Sequence, residues 1–184
     1  MRHILTVLLG FMSLSLLIGC SNKDDSFDFL FFVDSFIHDQ PEQQMRELVD
    51  ENLIENSVEQ ISTTFFVPME ERLIIEIASH NGDILFLNRE MTERAMDPEG
   101  LHAFDDHLSL ETLANIPDQE RKRHPDTNEW KVYAFPVSQT KIFKDNVSLQ
   151  GGEEVFAIIP VYVEDPVASF NLIKELIGEE VEGK

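Results

Sequence analysis

The chain's one cysteine, Cys20, follows Leu17-Ile18-Gly19 at the end of an apolar run of fifteen residues, Ile4 to Ile18. With no second cysteine, an internal disulfide, a thioredoxin-like pair and a zinc–thiolate site are all excluded. What remains for the sulfur is covalent modification. His102, Asp105, Asp106 and His107 set two imidazoles and two carboxylates within one short stretch, and both groups ligate zinc. Their spacing does not match a helical His-x-x-x-His pair, so the stretch reads as a polar turn whose acids cap a helix starting near Ser109. Ser57, Ser79 and Ser138 lack the Gly-x-Ser-x-Gly turn of a nucleophile elbow. Gly151-Gly152 precedes a strand and lacks the Lys and Ser/Thr of a phosphate loop. Asn146-Val147-Ser148 has the form of a glycosylation triplet, which carries meaning only in a eukaryotic secreted protein. The 35 acids make some carboxylate pairs inevitable, but no glycosidase motif accompanies them. Trp130 and Tyr133 could line a ligand rim, although a lone tryptophan ahead of a strand is more often core. No catalytic, cofactor-binding or metal-ligating residue is assigned.

A fifteen-residue helix is about 22 Å long at about 1.5 Å per residue. That falls short of the roughly 30 Å of a bilayer's hydrocarbon layer, so the run is poor material for a permanent span. It suits the core of a signal peptide with Arg2 as its thin positive start. Together with Leu17-Ile18-Gly19-Cys20 and the abrupt polar turn at Ser21-Asn22-Lys23-Asp24-Asp25, it resembles a bacterial lipoprotein signal. The resemblance implies cleavage before Cys20, a diacylglyceryl (palmitate-type) group on its sulfur, and usually another acyl chain on the new amino terminus. More than one chain matters, because a single chain binds membranes only marginally. The expected division is a signal peptide over 1–19, a lipidated tether over 20–26, one domain over 27–178 and an acidic tail over 179–184.

Cleavage leaves 165 of the 184 residues, enough for one domain with a proper core. Against 35 acids stand 14 lysines and arginines, a formal net charge of −21. Such a surface repels nucleic acid and anionic headgroups, which disfavours DNA, RNA and membrane-lying roles. Arg121, Lys122, Arg123 and His124 cluster in one polar stretch that reads as a solvated loop.

Phenylalanine-dense Phe27–Phe36 predicts a buried first strand. Pro41 fits the first position of a helix, with Met45, Leu48, Val49 and Leu53 as its stripe and an end near Asn56. A strand over Val58–Val67 follows, then a helix from Glu70 to Ser79 whose apolar face is Leu73, Ile74, Ile77 and Ala78. Ile84–Leu87 is the third strand, and Asn88 a plausible cap for a helix through Met91, Ala95 and Met96. This β-α-β-α-β-α order argues for α/β architecture in three layers: a mostly parallel sheet with helices on both faces. Beyond it come a short helix around Leu110–Ile116 and strand candidates at Lys131–Val137 and Thr140–Phe143. The very apolar Val155–Val163 is the best central strand. Asp165-Pro166 opens a last helix that Gly178 stops.

The sequence from Glu70 through His80-Asn81-Gly82-Asp83-Ile84-Leu85-Phe86-Leu87 to Asp97-Pro98-Glu99-Gly100-Leu101-His102-Ala103-Phe104-Asp105-Asp106 resembles the amino-terminal lobe of extracellular solute-binding lipoproteins. Lys131–Val137 is similar to that family's strand leading out of the first lobe, Glu154–Pro160 to its returning strand, and Asp165–Ile177 to its closing helix. Only Ser138 to Glu153 separates the outgoing and returning strands, too little for a second lobe. The resemblance therefore implies a single lobe and a shallow rim in place of a buried ligand site. The expected function is a non-enzymatic binding or accessory lipoprotein on the outer face of the cytoplasmic membrane. Cys20 tethers it, no cofactor is required, and a membrane transporter or signalling protein is its expected partner. Loops at the carboxyl ends of the strands, around Val33–Ser35, Pro68 and Asn88–Arg89, are the recognition candidates. An extracellular sensor of antiparallel meander type and a small envelope hydrolase are the alternatives. Parallel pairing among residues 28–33, 61–67 and 84–87 separates the first reading from the sensor.

Overall fold

The computed structural model describes residues 27–54 and 60–179. Cys20, the signal and tether, Ser57 and residues 180–184 lie outside them. The chain forms a mixed α/β domain around a four-stranded sheet. Strand β1 (Phe27–Phe32) pairs in parallel with both β2 (Ile61–Phe66) and β3 (Ile84–Asn88). Strand β6 (Val155–Ile158) joins antiparallel to β3. The strands at 27–32, 61–66 and 84–88 are thus parallel neighbours and not an antiparallel meander.

Alternation along each strand sorts the core into two halves. Phe29, Phe31, Ile84, Phe86, Val155 and Ala157 face one side. There they meet α1 (Asp39–Val49), α4 (Leu110–Ala114), α5 (Lys141–Asn146) and α6 (Pro166–Ile177) through Met45, Leu48, Leu113, Phe143, Phe170 and Ile173. Leu30, Phe32, Leu85, Leu87, Phe156 and Ile158 face the other side. There they meet α2 (Glu70–Ala78) and α3 (Arg89–Ala95) through Leu73, Ile77, Met91 and Ala95. At the centre, the Phe31 ring stacks on Phe65 at 4.5 Å and on Phe86 at 4.6 Å. A short antiparallel hairpin, β4 (Arg121–Arg123) and β5 (Trp130–Val132), stands apart from the main sheet.

Several helix ends are built as the sequence indicates. Asn88 Oδ1 accepts from Met91 N at 2.9 Å, Asp165 Oδ1 accepts from Ala168 N at 2.9 Å, and Gly178 closes α6 at φ 77°. Gly82 sits at φ +80° in the turn before β3, where an added Cβ would lie 2.7 Å from Leu30 Cγ. Only glycine meets both conditions without strain.

Other elements differ from expectation. Strand β1 stops at Phe32, and Asp34–Ile37 turns into a single 3₁₀ turn. Pro41 is the third residue of α1, still within the first turn where its missing N–H costs nothing. Thr140–Phe143 is not a strand: Thr140 Oγ1 caps α5 by accepting from Phe143 N. Ile74 is more than half exposed, and Glu76 takes the inward position of α2, bonded to Arg72 and Asn81. The apolar run at 155–163 supplies an edge strand, not a central one. Its residues are nonetheless buried because Phe135 pairs with Ala157 across the outer edge and Gly100–His102 pairs with Ile159–Val161 beyond it.

The opposite edge strand, β2, has no further strand beside it among the described residues, and two arginines lie along it. The Arg46 guanidinium donates to the Thr63 carbonyl and hydroxyl and lies 4.6 Å from the Phe65 centroid. Arg72 lies 4.6 Å from that of Phe66. Charge laid over an exposed edge discourages pairing with another chain.

Candidate functional site

Strand order reverses at β1, because β2 lies on one side of it and β3 on the other. The carboxyl ends of β1 and β3 therefore flank the crevice where open α/β sheets receive ligands. The structure brings together two of the three stretches that sequence singles out. Asp34 and Ser35 follow β1, Asn88 is the last residue of β3 and Arg89 follows it. Pro68 follows β2 on the far side of β1 and takes no part.

The groups in this crevice are bonded to one another. Asn88 Nδ2 donates to Asp34 Oδ2 at 2.8 Å while the same amide's oxygen caps α3. The Glu153 carboxylate accepts from the backbone N–H groups of Asp34 and Ser35 at 3.0 and 2.8 Å. Ser35 Oγ accepts from Gln150 N at 2.9 Å, which pins the Gly151-Gly152 loop over the end of β1. Beside these contacts remains a cavity of about 320 Å³ lined by Asp34, Ser35, Ile37, His38 and Gln150.

Arg89 is the organising cation. One terminal nitrogen reaches both oxygens of Glu120 at 2.9 Å, while Nε and the other terminal nitrogen reach Glu154 at 3.1 and 2.8 Å. Its plane lies 4.3 Å from the centroid of Phe156. Burial on its own would lower the guanidinium's pKa, but the hydrogen bonds and charges of Glu154 and Glu120 outweigh it and hold the value above the ordinary one. A guanidinium fork suits two carboxylates where a lysine point charge would not. Glu120 is itself buried, so the network neutralises a charge that could not otherwise stand there.

The His102–His107 stretch is a structural turn. Asp105 accepts from Val132 N at 2.7 Å and from Arg121 at 3.4 Å. The His107 ring stacks on Phe170 at 3.6 Å, and His102 meets the same ring edge-on at 6.3 Å. Burial pushes both imidazoles below their ordinary pKa, with Asp106 opposing the shift at His107 and Lys174 and His102 adding to it. Among the described residues, no group of three His, Cys, Asp or Glu side chains is placed to hold a metal ion. The cap of α4 is not supplied by the turn's acids. Ser109 Oγ accepts from Thr112 N, and Glu179, 70 residues away, accepts from Ser109 N at 2.7 Å.

The basic stretch is ordered rather than a free loop. Arg121 to Arg123 form β4, and the Arg121 guanidinium donates to the Leu113 carbonyl at 2.9 Å. Trp130 is exposed, not core, with Arg123 lying 5.6 Å from its ring centroid. Tyr133 is the buried member of that pair. Its hydroxyl has no hydrogen-bond partner among the described residues, and burial, with Asp105 and Glu129 nearby, raises its pKa. The hydroxyl of Ser138 accepts from Val155 N at 2.9 Å, and Ser79 ends α2.

A second, larger cavity of about 940 Å³ opens between α4, α5 and the carboxyl end of α6. Phe135, Leu108 and Ile116 give it apolar walls, and Lys141, Lys174 and Glu179 contribute charge. Nothing in the sequence marks it, because its lining comes from three separated segments with no shared motif.

These features define a mixed α/β domain whose strand-end crevice is filled by its own polar groups. No known family model matches the chain. A protein of Bacillus subtilis (strain 168) named "Putative lipoprotein YteS" is 23% identical over 179 residues, spanning 95% of this chain and 96% of its own length. The likeness runs nearly end to end and supports a bacterial lipoprotein with an envelope location. No described helix is long and apolar enough to cross a membrane.

Proposed function

We propose that the protein is a lipid-anchored, extracytoplasmic binding or accessory lipoprotein without catalytic activity, built as one three-layer lobe of the solute-binding type. Acyl chains on Cys20 hold the acidic body on the outer face of the cytoplasmic membrane, where a transporter or signalling protein is the expected partner. The observation that carries this reading is the self-bonded crevice between β1 and β3. A receptor lobe would leave donors there for a ligand. Here Glu153 occupies the two free backbone amides, and Arg89 is committed to Glu120 and Glu154. Ser35 Oγ accepts from Gln150 N and Ser138 Oγ from Val155 N, so both hydroxyls already hold backbone hydrogen bonds. Such a site suits a rigid surface recognised by another protein better than a turnover site.

The test is crosslinking in intact cells of the native lipoprotein carrying a photoreactive residue at Val67 or Ile37, both exposed at the strand-end side. A discrete adduct with a membrane protein that disappears in Cys20→Ser is the expected result. Turnover of a glycoside, peptide or ester by the purified protein would refute the reading.

A further inference from the structure

We infer that the cleft between α4, α5 and α6 is a binding site for a short apolar peptide or amino acid with a free amino group and a free carboxylate. In this acidic chain nearly every arginine is spent on a carboxylate. Arg46, Arg72, Arg89, Arg94 and Arg121 all face one, and Arg123 lies over Trp130. Lys131 pairs with Asp106 and Glu129. Lys122, Lys141, Lys144 and Lys174 have no ion-pair partner among the described residues, and two of them, Lys141 and Lys174, line this one cavity. Unpaired cations converging on a concave surface suit a ligand carboxylate.

The same cleft offers the opposite group. Glu179 Oε1 is held by Ser109 N and the Thr112 hydroxyl at 2.7 and 3.1 Å. Its Oε2 is buried with no donor among the described residues, and a buried acceptor left unmatched is costly unless something supplies a hydrogen. A ligand ammonium would supply it. Two further acids line the cleft: Asp106, which is turned to Lys131, and Glu111. Between the charges, Phe135, Leu108, Ile116 and Ile177 form an apolar floor, flanked by the amides of Gln139 and Asn115. A volume of about 940 Å³ exceeds one amino acid and accommodates a few residues. A zwitterion satisfies both signs, whereas a simple anion meets three carboxylates and the −21 net charge.

This inference deepens the binding reading and does not depend on the tether, since loss of lipid would change fractionation and leave the cleft intact. The experiment is calorimetric titration of the full-length lipoprotein in detergent micelles. The probes are trialanine, L-leucine, and trialanine blocked by acetyl and amide groups. Saturable binding of trialanine is expected, weakened about tenfold by blocking its ends and about tenfold by Lys141→Gln with Lys174→Gln. Glu179→Gln should weaken the free-amine peptide and leave the blocked one unchanged. Lys122→Gln, a lysine outside the cleft, should change nothing. L-leucine binding as tightly as trialanine would assign the site to amino acids within the same class. No saturable heat with either zwitterion, equal binding of the blocked peptide, or an unaltered double variant would overturn the inference.

Discussion

Arg89→Ala should be among the most damaging single changes at the strand ends, and its cost can be worked from the contacts. Removing one partner of a fully buried ion pair costs about 3–5 kcal/mol, because the survivor's charge stays uncompensated. The Glu120 side chain is 5% exposed and so near that limit, but Arg89 is 35% exposed. Gln119 Nε2 still reaches Glu120 at 3.3 Å. Water access and that remaining donor bring the expected loss to about 2 kcal/mol. Glu154, 39% exposed, adds little. The lost contact with the Phe156 face adds about 0.5–1 kcal/mol. The total approaches about 3 kcal/mol, which at a urea m-value near 2 kcal/mol per molar lowers the midpoint by about 1.5 M. If the stranded Glu120 charge is the cause, Glu120→Gln added to Arg89→Ala should recover about half of the shift. Arg89→Lys should fall between, since a lysine cannot fork to both carboxylates. A midpoint within about 0.3 M of wild type for Arg89→Ala, or no recovery in the double variant, would refute this account of the network.

Two further perturbations probe other parts of the fold. Because burial holds His102 and His107 below the ordinary histidine pKa of about 6.5, the unfolded chain takes up protons first as pH falls. Their contribution to stability is complete above that value, declines below it, and levels off once pH is under the depressed native values. Urea midpoints followed from about pH 7.5 to 5.5 should therefore fall, and His102→Gln with His107→Gln should flatten the curve. An unchanged slope in that variant would contradict it. Gly82→Ala should cost about 2 kcal/mol or more, from the positive φ and the overlap with buried Leu30, read as a lower melting temperature. Gly178→Ala should cost less, because the atom its Cβ meets is the mobile end of Ile142.

What was legible in the sequence is what local chemistry decides. Asn88, Asp165-Pro166 and Gly178 mark helix ends through hydrogen bonds made within four residues, so their spacing alone identifies them. The parallel β1, β2 and β3 follow from helices interleaved with apolar strands. Position within the sheet was not legible at Val155–Val163. Hydrophobicity reports burial, and an edge strand covered by Phe135 and Gly100–His102 is as buried as a central one. Trp130 reads in the opposite sense, because hydrophobicity cannot say that this end of β5 is exposed while Val132, two residues on, is buried in the core. At α2, reading Ile74 inward ignored that Glu76 can be buried when Arg72 and Asn81 satisfy it. Two of the three strand-end stretches, at Asp34–Ser35 and Asn88–Arg89, meet in the structure, but their bonding is not written in the local sequence. Arg89 finds Glu120 31 residues away and Glu154 65 away, and Glu179 reaches Ser109 across 70. No pattern along the chain encodes such pairings.

The claim on which the account rests is that sulfur chemistry at Cys20 fixes the protein to the envelope. The direct measurement is metabolic labelling of cells with an alkyne fatty acid, followed by fractionation and intact mass of the native chain and of Cys20→Ser. The account predicts label and acyl mass on a membrane-bound product that begins at Cys20. It also predicts that the serine variant carries no label and retains residues 1–19. A native chain without fatty acid, or a serine variant processed and fractionated as the native one is, would contradict it.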